Sequence, residues 1–344
     1  MNPLPVKRPT IRDVATAAGV SKSLVSLVFS DSSGVSADRR QRVLAAADAL
    51  GYRPNWLARA LAADDGNFVG ILVADTHNPL FMEIVDAARI ELAARGQYGL
   101  LTSAVLPPRE GDPPRLDERI LSAFGDLRPR SVLIVGSVPD MPVLSRLAYG
   151  VPIVVASAIA ENLPMAVSVR SDDAVGMDLV IAHLVERGHR RIAHLGGQGG
   201  PVAVERASSY VEAMRRHGLA DEICIEPAEF TESSGFRAAD ALLRSAHPPT
   251  AIAAMNDLTA IGAQTAIDER AAATSVALTG YDNTFLAANS RISLTSVNSD
   301  NAEIGRRAAH ALDEPNAPGR QILVTPTLVV RASSTAASAS RWSV

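Results

Sequence analysis

TIRDVATAAGVSKSLVSLVFS, residues 10–30, decides how the rest of the chain is read. Two short amphipathic segments flank Ala18-Gly19-Val20. Thr10 and Asp13 have the spacing of a capping box, and Ile11, Val14 and Ala15 supply the inward stripe of a first helix. Ser21 is placed to cap a second, in which Val25, Val28 and Phe29 recur at i, i+3, i+4. With these turned inward, Lys22, Ser23, Ser26 and Leu27 share the outward face. A core helix would carry Leu where this one carries Ser and Lys. Hydroxyl side chains and the free N–H groups of a helix start suit phosphate oxygens. Two helices joined by a turn containing Gly form a helix-turn-helix, which sets such side chains at the rim of a groove.

The neighbouring residues extend this unit. Ser36 is expected to cap a third helix, RRQRVLAAADAL, which Gly51 ends. After Tyr52-Arg53-Pro54 a short Ala-rich helix, WLARALAAD, is expected to begin on Asn55 and to stop at Asp64-Asp65-Gly66. Residues 1–63 hold nine Lys/Arg against four Asp, a net +5, so with a total of −4 the remainder carries −4 − 5 = −9. A basic head on an acidic body points to a polyanion as the partner of the head, with a chance run of surface charge as the plain alternative.

From residue 67 the texture changes. Apolar runs recur (FVGILVA, YGLLTSAV, SVLIVG, PIVVASA, RIAHLGG, AIAAMND and VALTGYD), with helical patterns such as MEIVDAARIELAARG and AVGMDLVIAHLVERG between them. Strands alternating with helices imply parallel sheets covered on both faces. Seven such strands over about 230 residues exceed one small sheet, so two doubly wound lobes are expected. Ligands of such sheets sit beyond the carboxyl ends of the strands. Asp75, Ser157, Asn256-Asp257 and Asp282, which close these runs, are candidates for a shared cleft or, equally, helix caps.

The totals exclude other classes. The 344 residues are 47% hydrophobic and 20% charged, ordinary for a globular protein. No apolar run is long enough to span a membrane. The start, MNPLPVKRPT, lacks the apolar stretch of a secretory signal, so a cytoplasmic location is expected. Cys224 is the single cysteine, which excludes an internal disulfide and a thiolate zinc cluster.

Taken together, TIRDVATAAGVSKSLVSLVFS, VSADRRQRVLAAADALGYRPNWLARALA, NPLF, HLVERGHRRIAHLGG, VERASSY, EFTESSGFRAADALL, PPTAIAAMND, GYDN, SLTSV and LVVRASST resemble, in order, the lactose/galactose repressor (LacI/GalR) family of bacterial transcription factors over roughly residues 10–335. The resemblance implies an α/β chain of several parts. A three-helix helix-turn-helix head over 1–53 is followed by a hinge helix and linker over 54–66. A two-lobed core resembling periplasmic binding proteins spans 67–338, its first lobe taking about 67–167 with 298–328 and its second about 168–297 with 329–338. Residues 339–344 form a tail without leucine heptads, which gives no support to a C-terminal tetramerisation bundle. The implied function is a transcriptional regulator, a repressor, on double-stranded operator DNA, acting as a homodimer under a sugar-like effector. No enzyme activity, cofactor, metal or membrane is implied.

Residue by residue, the resemblance puts Lys22 and Ser23 at base-reading positions and Thr10, Ser21, Ser26 and Ser36 at phosphate contacts. Leu61 matches a hinge leucine that wedges into the minor groove, with Asn55 and Arg59 in the same helix. Leu27 stands where well-known members carry arginine, and Leu24 where threonine is frequent. Leu touches a thymine methyl but offers guanine no donor, so an altered operator is expected there. In the core, Phe81 and Phe230 are implied to pack on the effector's apolar face, and Arg206, Asn256 and Asp282 to bind its polar groups. Ser157-Ala158 replaces a frequent Asp-Arg, and Ser299 a frequent Gln or Asp, which argues against copying a hexose specificity onto this chain. The segment DERAAATSVALTG is about two residues short of the usual pattern.

Two rival readings weaken on inspection. A dinucleotide-binding enzyme would use RIAHLGGQGGPV, but Gly197-Gln198-Gly199 is followed by Gly200-Pro201-Val202 and not by the third glycine of the fingerprint. A secreted solute-binding protein would share the body but not the basic head. His183, His189 and His194 match no metal-ligand spacing and are expected to be structural.

Overall fold

The computed structural model describes residues 9–29, 34–53, 68–106, 114–140, 143–144, 150–270, 276–314 and 319–335. The chain forms two compact units, residues 1–64 and 65–344. The expected hinge helix, with Asn55, Arg59 and Leu61, lies outside the described residues, as does the tail.

Among the described residues of the first unit there are three helices: α1 (Ile11–Ala18), α2 (Lys22–Phe29) and α3 (Ala37–Ala49). The capping box forms as expected: the Thr10 amide donates to Asp13 Oδ2 at 2.7 Å, and Thr10 Oγ1 accepts from the Asp13 amide at 3.4 Å. Gly19 ends α1 in the left-handed region at φ 65°, which lets the Val20 amide reach the Ala15 carbonyl at 3.0 Å. The Leu24 amide donates to Ser21 Oγ at 3.2 Å, which caps α2. Val14, Val25 and Val43 are fully buried at the centre, with Val28 and Ala47 around them. Ser36 departs from expectation. It holds the N-cap position of α3, but its hydroxyl makes no capping bond; only its carbonyl is used, accepting from the Arg40 amide at 3.0 Å. At so exposed a helix start water competes for the hydroxyl, so the cap is not enforced.

The second unit holds two six-stranded sheets. The first is all parallel, in the order β13 (Gln321–Val324), β7 (Val167–Ser171), β6 (Ile153–Ala156), β5 (Ser131–Val135), β1 (Phe68–Val73) and β2 (Tyr98–Thr102). A short hairpin of β3 (Val105–Leu106) and β4 (Arg115–Leu116) stands beside it. The second runs β14 (Thr327–Val329), β12 (Thr295–Asn298), β11 (Ala277–Tyr281), β10 (Ala251–Ala254), β8 (Ile192–Gly197) and β9 (Cys224–Ala228), parallel except for β14. Helices α4 (Pro79–Ala94), α5 (Glu118–Asp126) and α10 (Asn301–Ala311) accompany the first sheet, and α6 (Asp173–Glu186), α7 (Pro201–Arg216), α8 (Glu232–Leu243) and α9 (Asp257–Glu269) the second.

All seven apolar runs form strands. The additional strands β7, β9, β12, β13 and β14 fall outside those seven runs; β7, for example, is VSVRS and is nonetheless buried throughout. The chain passes between the sheets three times: after β7, after β12 and after β13. β7 keeps residues 168–171 in the first sheet and β14 takes Thr327 and Leu328 into the second, so these residues lie across the expected lobe boundaries.

Candidate functional site

Two surfaces carry the residues singled out by sequence. In the head, Lys22, Ser23, Ser26 and Leu27 are all exposed on α2 while Val25 and Val28 are buried, so the four share its outward face. Leu27 is 44% exposed, an apolar group at an otherwise hydrophilic surface. Thr10 and Ser36 are exposed at the starts of α1 and α3, and Ser21 at the start of α2. Arg40 donates to the Val28 carbonyl at 3.3 Å, bracing the end of α2 against α3.

In the second unit, a cleft of about 520 Å³ lies where the carboxyl ends of strands from both sheets meet. Five predicted residues converge on it from five separate stretches of chain: Phe81, Ser157, Arg206, Phe230 and Asp282. Each ring lies close to a glycine in the left-handed region. A Cβ on Gly136 (φ 89°) would meet Phe81 Cζ at 2.7 Å, and one on Gly199 (φ 102°) would meet Phe230 Cδ2 at 3.1 Å. Asp75, a further predicted residue, also lines the cleft; its Oδ1 accepts from the His77 amide at 2.8 Å. Asn256, Asp257 and Ser299 are buried but are not among the lining residues. Asn256 caps α9, its Oδ1 accepting from the amide and hydroxyl of Thr259 at 2.8 and 2.7 Å. Asp257 is bound by Ser296 at 2.6 Å and by Thr284, and burial pushes its carboxyl up to about 6. The Ser299 hydroxyl and the Asn256 amide nitrogen find no partner among the described residues.

Arg206 organises the floor. It is 4% exposed and commits three nitrogens: Nε to Asp173 Oδ1 at 2.9 Å, Nη1 to the Met255 carbonyl at 2.6 Å and Nη2 to Asp282 Oδ1 at 3.3 Å. Its guanidinium carbon lies 3.7 Å from the centre of the Tyr281 ring, and the Tyr281 hydroxyl is 3.1 Å from Ser171 Oγ. Burial opposes the charge on Arg206, but Asp173 and Asp282 outweigh it and hold the guanidinium above its ordinary value. Burial likewise pushes the Asp282 carboxyl up, to about 8, against the pull of Arg206. Behind Asp173 stands Arg170, whose Nη1 donates to Asp173 Oδ2 at 2.8 Å. Asn301, at the start of α10, gives its two amide hydrogens to Glu83 on α4 (2.7 Å) and to the Asp282 backbone carbonyl (3.1 Å), tying the main chain at Asp282 to the first lobe.

Asp173, Arg170, Tyr281 and Asn301 were not anticipated. Asp172-Asp173 reads as an ordinary helix start, and only Asp172 caps α6. Nothing local tells that Asp173 is buried and paired. The three histidines are occupied separately. His194 is fully buried, donates from Nδ1 to the Ala253 carbonyl at 2.8 Å and stacks on Tyr210, and burial pushes it down to about 4, so it is neutral. His183 bonds Ser334 and His189 bonds Thr250.

Comparison with known proteins places both parts. The profile of bacterial regulatory proteins of the lacI family matches residues 10–55, and that of a periplasmic binding protein-like domain matches residues 181–334. The HTH-type transcriptional regulator CelR of Thermobifida fusca is 32% identical over 342 residues, covering 94% of this chain and 98% of that protein. The structure of a transcriptional regulator CelR–cellobiose complex superposes with a TM-score of 0.65 at 28% identity, over 95% of this chain and all of that one (100%). The lac repressor dimer bound to operator and the anti-inducer ONPF has the same fold, with a TM-score of 0.78 at 24% identity over 96% of this chain and 100% of that one.

Proposed function

The chain belongs to the LacI family of bacterial regulatory proteins and is a DNA-binding transcriptional regulator, and on that premise we propose that its operator affinity is set by a sugar-like molecule held between the two lobes. The observation that carries the effector reading is the cleft itself. Phe81 and Phe230 offer apolar faces to the C–H face of a sugar ring, while Arg206, Asp282 and Ser157 offer hydrogen bonds to its hydroxyls. The cellobiose held by CelR, a relative over nearly the whole chain, supports the same class of ligand. Asn256 and Ser299 act from behind the wall, each with an unsatisfied polar atom.

The protein works in the cytoplasm, on the nucleoid, as a homodimeric repressor. One α2 from each protomer docks in a major groove, with Lys22 and Ser23 towards the bases and Thr10, Ser21, Ser26 and Ser36 towards phosphates. Asn55, Arg59 and Leu61 of the hinge meet the minor groove at the operator centre. The exposed row of Lys22, Ser23, Ser26 and Leu27 on a head of net +5 supports this arrangement.

The test starts from an operator selected by the full chain out of random-sequence DNA, followed by a panel of sugars and polyols added to the complex. Arg206→Ala would also break the buried pairs with Asp173 and Asp282, a loss of about 3–5 kcal/mol that confuses stability with response. Phe230→Ala is the sharper variant: it should abolish the response to the active sugar while operator binding without ligand is preserved. A Phe230→Ala protein that answers the sugar as the wild type does would overturn the proposal.

A further inference from the structure

Among the described residues, the ionisable ones lining the cleft are Asp75, His77, Arg206 and Asp282. Arg206 is the single arginine or lysine among them, and its charge is already answered from within the fold. A site built for phosphate or carboxylate keeps a guanidinium edge open for two parallel hydrogen bonds. Here Nε, Nη1 and Nη2 each have a protein acceptor, so two N–H groups remain at most, enough for hydroxyl oxygens.

Asp173 answers Arg206 from outside the cleft. It is 3% exposed, lies outside the lining and holds Arg206 Nε at 2.9 Å, and its other oxygen is fixed by Arg170 at 2.8 Å. Asp282 takes the third nitrogen from the cleft side, its Oδ1 accepting from Nη2 at 3.3 Å. The feature favouring an anion is the pair of helix starts at the cleft, α4 and α7. Each begins with proline, which lacks an N–H, and the Asn78 side chain takes the Leu80 amide of α4 at 3.1 Å. Such partial dipole charges are weaker than the Asp75 carboxylate at the wall.

We propose that Asp173 is a positioning residue that closes this cleft to anions: by matching Arg206 from behind, it restricts the effector to uncharged polyhydroxylic compounds. The inference rests on the reading that the effector binds in this cleft. Its consequence is a place in the reaction sequence. The regulator reads a free sugar before a phosphotransfer step has esterified it and before an oxidation has turned it into an acid.

The first arm of the test uses inorganic phosphate, titrated calorimetrically into the full chain at constant ionic strength. Phosphate bound by the basic head is subtracted with the triple variant Asp173→Asn, Asp282→Asn, Arg206→Gln, which removes the guanidinium together with both its carboxylates. The wild type should show no Arg206-dependent phosphate binding. The double variant Asp173→Asn, Asp282→Asn should acquire it, with affinity raised on the order of tenfold or more. Asp173→Asn alone leaves Asp282 on Nη2 of Arg206, so both carboxylates are replaced. Arg206-dependent phosphate binding by the wild type would overturn the proposal, as would a folded double variant without it.

The second arm needs no variant to fold. Thermal shifts of the wild type are compared for ribose against ribose 5-phosphate, glucose against glucose 6-phosphate and gluconate, and cellobiose against cellobionate. Stabilisation confined to uncharged members supports the proposal, and stabilisation by a charged member beyond that given by inorganic phosphate at equal ionic strength overturns it. If no sugar stabilises the protein while the phosphate series behaves as stated, the effector reading fails and the charge matching stands.

Discussion

Raising the pH from 6.5 to 8 should destabilise the second unit, and Asp282→Asn should remove that loss. The Asp282 carboxyl sits at about 8 in the fold against 3.8 for an ordinary aspartate. Between those values the native state holds up to one proton more than the unfolded chain, so stability declines as pH rises. The contribution is complete only below the unfolded value and is lost through pH 8. Other buried groups each contribute less in this window. Asp257, at about 6, has mostly titrated by pH 6.5. His194, lowered to about 4, and His183 and His189, also lowered by burial, each oppose the loss by at most about 0.4 kcal/mol, because an unfolded imidazole is still half protonated at pH 6.5; these contributions are common to wild type and Asp282→Asn and cancel in the comparison. One proton gives a slope of about 1.4 kcal/mol per pH unit, hence about 2 kcal/mol across the window. Residues 65–344 should unfold with about 0.6 kcal/mol/K of entropy, so the loss corresponds to about 3 °C in Tm. Scanning calorimetry at constant ionic strength reads this directly. Equal slopes in wild type and Asp282→Asn would refute the reasoning, because Arg206 would then be keeping Asp282 ionised despite its burial.

Gly262→Ala, in α9, sets two effects against each other. Helix propensity alone promises a gain of about 1 kcal/mol. The new Cβ, however, would lie 2.7 Å from the Glu232 carbonyl carbon and 2.8 Å from the Phe236 amide nitrogen, backbone atoms of α8 that cannot rotate away. Overpacking wins, and the urea midpoint should fall by the equivalent of about 2 kcal/mol; a rise would show that the two helices separate freely. In the head, Lys22→Ala should cost about 1–3 kcal/mol per half-site on the selected operator and little on random DNA. Equal losses on both would demote Lys22 to a phosphate contact.

The head was legible because its information is local. A capping box, a glycine at the turn and valines at helical spacing act within a few residues of one another, and α1 and α2 follow them closely. Six of the seven apolar strands were legible because strands covered on both faces must be apolar almost throughout; the seventh, β2, is an edge strand left partly exposed. β7 was not, since Ser168, Arg170 and Ser171 are buried by virtue of what lies across from them: the Ala158 carbonyl, Asp173 and Tyr281. The same division runs through the cleft. Asn256 was open to two readings, cap or ligand, and the structure uses it as a cap, an interaction spanning three residues. Phe81, Ser157, Arg206, Phe230 and Asp282 could be nominated singly, but their convergence depends on three crossings between the sheets. Asp173 lies furthest from local inference. Its partner Arg206 is 33 residues away, and Arg206 reaches Asp282 a further 76 on. Sequence determines which groups can carry charge. Whether a charge is desolvated, and which opposite charge answers it, is decided where distant segments pack together and exclude water.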